Sequence, residues 1–566
     1  MGDYAEIFPA HTQEQTLRWK NIAITKPKRV ARVLVLRAGD TTKEGDNLSD
    51  ILPALVAVKE IMAKTRPGVE NKEWAALVSG GIADALCKAV CGMVTILQPL
   101  TTMPPELKKK VKNELQTSYF APLEILCDAC CHFQYPPTQT DKKVIAAIRK
   151  HWSEMMELIW TSPGNTLRPE DSHTRERIAV SQMVWKNISV YPSFMSILYH
   201  PSDLTIQIIA RHWKHAQKTP DIMATAATLS EVLSPSHPRI VAYMNSQPAG
   251  LASSSSIIVS KILVGLGPTD TSPKQQQVKI FTAKFAEHLT RLNIRCAGEQ
   301  LEFFMNLLSA AEKGASEPEL PKAVLKSAAL WNAVIRLLKK TAKPEPASEQ
   351  EPRVAESPQA EKLHRVRAIA NCMNMLAHIL HTATFANPQE CGHLIRIWAN
   401  ENLFGVIEDI IDILIDTPGM TMHLTRIASI IVSTAEKAPS LLQAYRSQFP
   451  RWRLFATLVK RDFERQQATG LPGFPMPGQL PHPSDHFWDE CAWHTIATLQ
   501  YRCTDKTECS KRGCVNTVGS VVCVCQSVKY CSEACKTKDA KEHKYACGMM
   551  KLFEEVGKRG PQGVRT

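Results

Sequence analysis

"DNLSDILPALVAVKEIMAK", residues 46–64, sets Ile51, Leu52, Leu55, Val58 and Ile61 at three- and four-residue spacings behind a capping candidate, Ser49 or Asp50. Side chains spaced in this way share one face of an α-helix, so the stretch predicts an amphipathic helix with that face turned to a core. The signature recurs in "DKKVIAAIRKHWSEMMELIW" (141–160), "DLTIQIIARHWKHAQ" (203–217), "AEHLTRLNIRCAGEQLEFFMNLLSAAEK" (286–313), "AVLKSAALWNAVIRLLKKTA" (323–342), "VRAIANCMNMLAHILHTA" (366–383) and "LFGVIEDIIDILIDT" (403–417). Joints containing Pro, Gly or Ser separate these runs, and the period-two alternation of a strand is scarce.

The pattern predicts a mostly α protein. Sequential helices over some four hundred residues suggest an α-solenoid of the armadillo or HEAT kind, in which each pair buries its apolar face against its neighbours. No strict repeat period stands out, which leaves an irregular helical body as the alternative. An N-terminal segment (1–46) precedes the first part of this body (47–341). A Pro- and Glu-rich stretch (342–362), expected to be a mobile loop, separates it from the second part (363–469). At 470–485, "GLPGFPMPGQLPHPSD" holds five prolines and three glycines, which forbids a helix. A linker and docking segment is therefore expected over 470–500, with Phe487, Trp488 and Trp493 packing a short helix onto the body. A cysteine-rich finger follows at 501–550, then a tail at 551–566.

Composition is that of an ordinary globular chain: 566 residues, 44% hydrophobic and 22% charged. The formal net charge of +13 is spread along the chain rather than gathered in one arm. The first residues lack an apolar core behind a basic flank, and Glu6 stands where a myristoylation signal needs Ser or Thr. The apolar run 75–100 is broken by Asp84 and Lys88, and the run 257–265 by Lys261, so neither reads as a membrane span. The expected setting is intracellular, cytoplasmic or nuclear.

Eight of the seventeen cysteines fall between Cys503 and Cys547. In a reducing compartment such clustering with a nearby His reads as metal ligation. The candidates are Cys509-x4-Cys514, Cys523-x-Cys525, Cys531-x3-Cys535 and His543-x3-Cys547, four pairs of ligands. A tetrahedral Zn²⁺ takes two such pairs, so four pairs hold two structural ions, which contribute the folding free energy that so small a core lacks.

The residues Cys525, Tyr530, Cys531, Ser532, Cys535, Asp539, His543, Lys544 and Cys547 form a pattern that resembles the MYND-type zinc finger. The match covers about forty residues. The layout, a long helical region ending in such a finger, also resembles fungal MYND-finger proteins. The resemblance implies cross-bracing: Cys509, Cys514, Cys531 and Cys535 on one ion, Cys523, Cys525, His543 and Cys547 on the other. The second pair is usually C-x2-C in that family, but position 522 is Val522, which makes Cys523 the least secure ligand and Cys503 its possible substitute. The family's peptide groove uses a Gln and a Trp where this chain has Lys536 and Ala540, so proline-rich peptides are expected to bind weakly.

MYND fingers often accompany a SET-type lysine methyltransferase domain, whose Asn-His-Ser-Cys segment and glycine-rich cofactor loop are not found here. The other motifs have plain readings. "CDACCH" (127–132) lies in an apolar helical pattern and reads as core thiols, "HWKH" (212–215) as a packing or solvated pair, and "SSSS" (253–256) as a helix start. The lysines around the finger ligands, Lys529, Lys536, Lys538, Lys541, Lys544 and Lys551, raise the possibility of nucleic acid. Seven thiolates against two Zn²⁺, however, leave a net charge of −3 for those lysines to offset. The expectation is a non-enzymatic, zinc-binding interaction scaffold or adaptor with protein partners. The alternative is a nuclear regulator that contacts DNA or chromatin through the finger.

Overall fold

A computed structural model describes residues 12–37, 39–66, 69, 71–92, 119–168, 173–247, 255–267, 272–314, 317–343, 357–386, 388–469, 485–504, 509–514, 516 and 518–551. The expected mobile loop falls mostly on 344–356, and the Pro/Gly linker on 470–484; both lie outside the described residues, as do the tail beyond Lys551 and Ser253 and Ser254. Among the described residues the chain is helical nearly throughout, with a single two-stranded ladder near the C-terminus. No single described helix is long and apolar enough to cross a bilayer.

The opening stretch shows how the helices are made. Ile51–Ala63 is helical and buries Ile51, Leu55, Val58 and Ile61, and of the two cap candidates Asp50 holds the N-cap position, without a side-chain bond into this helix. A short 3₁₀ turn, Leu48–Asp50, precedes it, and Asn47 caps that turn: its side chain accepts from the Ser49 N–H, while Asp50 accepts from the Asn47 N–H at 3.1 Å. This reciprocal box satisfies donors that the first turn cannot pair internally. Thr138 and Asp141 form the same device at the head of Gln139–Thr161, the longest of the early helices.

The chain divides into two compact units, Met1–Phe281 with Asn306–Glu317, and Thr282–Met305 with Pro318–Thr566. In each, a helix packs mainly on helices that follow soon after it in sequence, as in a stacked array. Helix length varies from four residues (Met195–Leu198) to twenty-nine (Pro358–Ala386), so the stacking follows no strict repeat. Aromatic side chains anchor both cores. In the first unit Trp152 meets Phe194 edge-on at 4.9 Å and donates to Thr205 Oγ1 at 2.9 Å. In the second, Trp331 meets Trp398 at 5.3 Å and donates to the Val324 carbonyl. The Trp152 and Trp331 indoles thus each bury a large apolar area with their one polar atom satisfied, whereas the buried Trp398 Nε1 has no hydrogen-bond partner.

Two local expectations are revised. Pro358–Ala386 is one helix, so Pro358–Lys362, expected to belong to the loop, opens the second part of the body. The expected short docking helix is Asp485–Cys503, nineteen residues packed between Met420–Lys437 and Trp452–Thr469. Trp493 is buried and donates to Asp462 at 2.9 Å, but Phe487 is 50% exposed and packs no core. The helix was expected and its length and depth were not: Phe487 lies in its first turn, at the edge of the packed layer.

Candidate metal centre

The finger is a hairpin followed by a helix. Val521–Val522 pairs antiparallel with Lys529–Tyr530, Val521 opposite Tyr530 and Val522 opposite Lys529. Between the strands the chain reverses: the Cys523 carbonyl accepts from the Gln526 N–H, and Gln526 takes a left-handed φ of 61°. This tight turn is how a one-residue gap presents two ligands. Cys523 and Cys525 turn inward, and Val524 between them is 92% exposed. Glu533–His543 then forms a helix capped by Ser532, whose Oγ accepts from the Cys535 N–H at 3.3 Å. The cap sets Cys535 in the first turn, where the helix dipole favours a thiolate, and His543 at the far end.

These elements gather the eight candidates into two groups of four. Cys509, Cys514, Cys531 and Cys535 form one, and Cys523, Cys525, His543 and Cys547 the other, with all ligand atoms of a group within 4.8 Å of one another. A tetrahedron with Zn–S bonds of about 2.3 Å has edges about 1.6 times longer, near 3.8 Å. In the first group Cys514 Sγ lies 3.7 Å from Cys531 Sγ, Cys531 3.5 Å from Cys535, and Cys535 4.0 Å from Cys514. In the second, Cys523 Sγ and Cys547 Sγ are 4.0 Å apart. Cys525 Sγ and His543 Nε2 are 3.5 Å apart, where a shorter Zn–N bond predicts an edge of about 3.5 Å. The two groups are positioned to bind two zinc ions.

The ligands start from different protonation states. The Asn516 amide donates to Cys531 Sγ at 3.2 Å, and this bond, with those from neighbouring thiols, lowers Cys531 to about 6, so a thiolate is present at neutral pH. Burial pushes Cys509 up to about 12 and Cys525 up to about 11; such thiols give up their protons to a metal ion rather than to water. Burial also lowers the pKa of His543, keeping the imidazole neutral and able to ligate. Cys503 lies in neither group. It ends the helix Asp485–Cys503 as a buried core thiol raised to about 12.

The finger is fastened to the helical body of its own unit. Asp539, buried on the finger helix, accepts from the Tyr530 hydroxyl at 2.8 Å and from Trp452 Nε1 at 3.3 Å. The same Trp452 indole meets the His543 ring edge-on at 5.3 Å. Beside it, Arg512 donates from Nε to the Pro450 carbonyl at 2.9 Å and forks onto Glu542. Arg512 also lies 3.6 Å from Glu408, a buried carboxylate already held by Arg451 at 2.9 Å. Trp452, Arg451 and Glu408 were not visible as site residues in the sequence. They lie far upstream of the ligands, and no spacing rule links them to the finger. Only Asp539, as part of the quoted pattern, marked the place where they converge.

The remaining motifs stay within the helical core. Cys127 and Cys130 are buried in Phe120–Cys131, their thiols raised well above the ordinary range, Cys127 chiefly by its bond to Cys131 and Cys130 by burial. They join no third four-ligand group among the described residues. His212 is fully buried and His215 half-buried on Thr205–His215. The finger lysines Lys529, Lys538, Lys541 and Lys544 are exposed, and Lys536 lies 3.4 Å from Glu533.

No family model, curated protein or solved structure matches the chain.

Proposed function

We propose that this chain is a zinc-dependent protein-interaction adaptor whose C-terminal finger is of the MYND type and acts without catalysis. The observation that carries the reading is the pair of closed four-ligand groups. With four protein ligands each, neither ion keeps an open position for water or substrate, which is the signature of structural rather than catalytic zinc. The finger then offers a rigid surface. Val518, Val522, Val524 and Tyr545 are exposed on it, 73%, 47%, 92% and 49% respectively, amid exposed lysines. Apolar side chains rimmed by charge favour a protein partner. Lys536 and Ala540, in place of the family's Gln and Trp, direct recognition away from proline-rich peptides.

The test is quantitative affinity capture with the intact chain and with Val524→Asp/Tyr545→Ala, after confirming that the variant keeps two zinc ions. Partners lost from the variant, and insensitive to salt, support the adaptor. Capture dominated by duplex DNA with a steep salt dependence supports the alternative regulator, and saturable S-adenosylmethionine binding would sink both.

A further inference from the structure

The first helical unit carries a surface that has no part in the finger. Tyr135, in the turn after Phe120–Cys131, is 60% exposed, and Tyr191, at the end of Thr174–Val190, is 41% exposed. Each ring has a guanidinium on one face. Arg239 lies 3.3 Å from the Tyr135 ring centre and Arg149 4.9 Å from that of Tyr191. The two stacks are tied together through residues 189–193: Arg239 donates to the Ser189 carbonyl at 3.2 Å, and Arg149 to Ser193 Oγ at 3.3 Å. His237, at the N-cap of Pro238–Ser246 two residues before Arg239, meets Trp185 edge-on at 6.3 Å.

Neither Arg149 nor Arg239 has a carboxylate partner among the described residues, whereas several other arginines of this unit do, as in Arg175 with Glu124 and Asp128 or Arg29 with Asp46. Two cations left for an outside anion, each holding an exposed ring in a fixed plane, match the two demands of an unpaired nucleic-acid strand: phosphates to neutralise and bases to stack. A duplex offers only the first of these, because its bases are already stacked on one another.

We propose that this Tyr135–Arg239–Tyr191–Arg149 surface binds single-stranded nucleic acid, bases stacking on the open faces of the two tyrosines and phosphates contacting the two guanidiniums. The surface is independent of the finger and of the adaptor reading.

The experiment titrates the full, zinc-loaded chain into fluorescein-labelled oligouridylate and oligothymidylate of about fifteen nucleotides, followed by anisotropy at two salt concentrations. Saturable binding is expected, weaker at higher salt and weaker for a blunt duplex of equal length. Tyr135→Ala and Tyr191→Ala should each weaken it about tenfold, whereas Tyr135→Phe, which keeps the ring, should not. Arg149→Gln should reduce the salt slope by about 0.7. Because both rings are exposed, the tyrosine variants should melt like the parent, which separates lost binding from lost folding. Absence of saturable binding, equal affinity for duplex, or binding that survives in the double tyrosine variant overturns the proposal. So does a proline-rich peptide that binds these rings when oligonucleotides do not.

Discussion

Cys523 and Cys503 are both thiols within reach of the same finger in sequence, and their surroundings separate their roles. Cys523 faces Cys547 across 4.0 Å in a group of four ligands, whereas Cys503 is enclosed by the helical core. Cys523→Ser should therefore reduce the zinc content from two ions to one by elemental analysis. Cys503→Ser should keep both ions and lower only the melting temperature, since it places a hydroxyl in an apolar site. Loss of an ion from Cys503→Ser would reverse the assignment. His212 carries a second residue-scale prediction. Burial lowers its pKa from the ordinary 6.5 to about 3, so between those values the unfolded chain takes up a proton that the folded chain refuses. The sign is fixed: stability falls as pH falls through that window, by about 2 kcal/mol between pH 7 and pH 5 for one such histidine. Thermal melts of the parent and of His212→Leu should diverge in pH dependence accordingly; parallel curves would show that His212 titrates normally.

At the scale of elements, the joint between the finger helix and Trp452–Thr469 is made largely by one indole. Trp452 is 3% exposed, hydrogen-bonded to Asp539 and in edge contact with a zinc ligand. Trp452→Ala should cost about 3–5 kcal/mol, the usual range for emptying a buried tryptophan site, and should also weaken retention of the ion held by His543. Competition with a chromophoric chelator measures the second effect; a stability loss with unchanged metal affinity would mean that the indole packs without orienting the ligand. This joint also marks where the sequence was legible and where it was not. The ligand pairs could be read because each pair lies within five residues, and the helices because their apolar faces repeat locally. The joint could not be read, because Trp452 and Asp539 are eighty-seven residues apart and each alone looks like an ordinary core or surface residue. The head of Ile51–Ala63 was legible only in part: Asp50 holds its N-cap, but the 3₁₀ turn before it, capped by Asn47, was not visible in the apolar spacing.

For the whole molecule, the consequence is that zinc belongs to the stability of the second unit and not to the finger alone. Glu408, shared by Arg451 and Arg512, lies at the same joint, so a finger that unfolds leaves a buried carboxylate with one partner fewer. Chelation should therefore raise hydrogen exchange in Leu403–Asp409 and in the first turns of Trp452–Thr469 as well as in the finger. Helices of the first unit, such as Gln139–Thr161, should stay protected. Exchange confined to residues 501–550 would show that the finger is carried as an independent module.

The interleaving of the two ligand groups also fixes how the segment answers force. Cys523 and Cys525 sit inside the loop closed by Cys514 and Cys531, and Cys531 and Cys535 sit inside the loop closed by Cys525 and His543. Tension along the chain cannot run through one site and spare the other. It is carried by metal–ligand bonds at both, in a segment whose ladder of backbone hydrogen bonds spans only four strand residues. Residues 509–547 therefore behave as a short inextensible link, whose ends separate only when metal is surrendered.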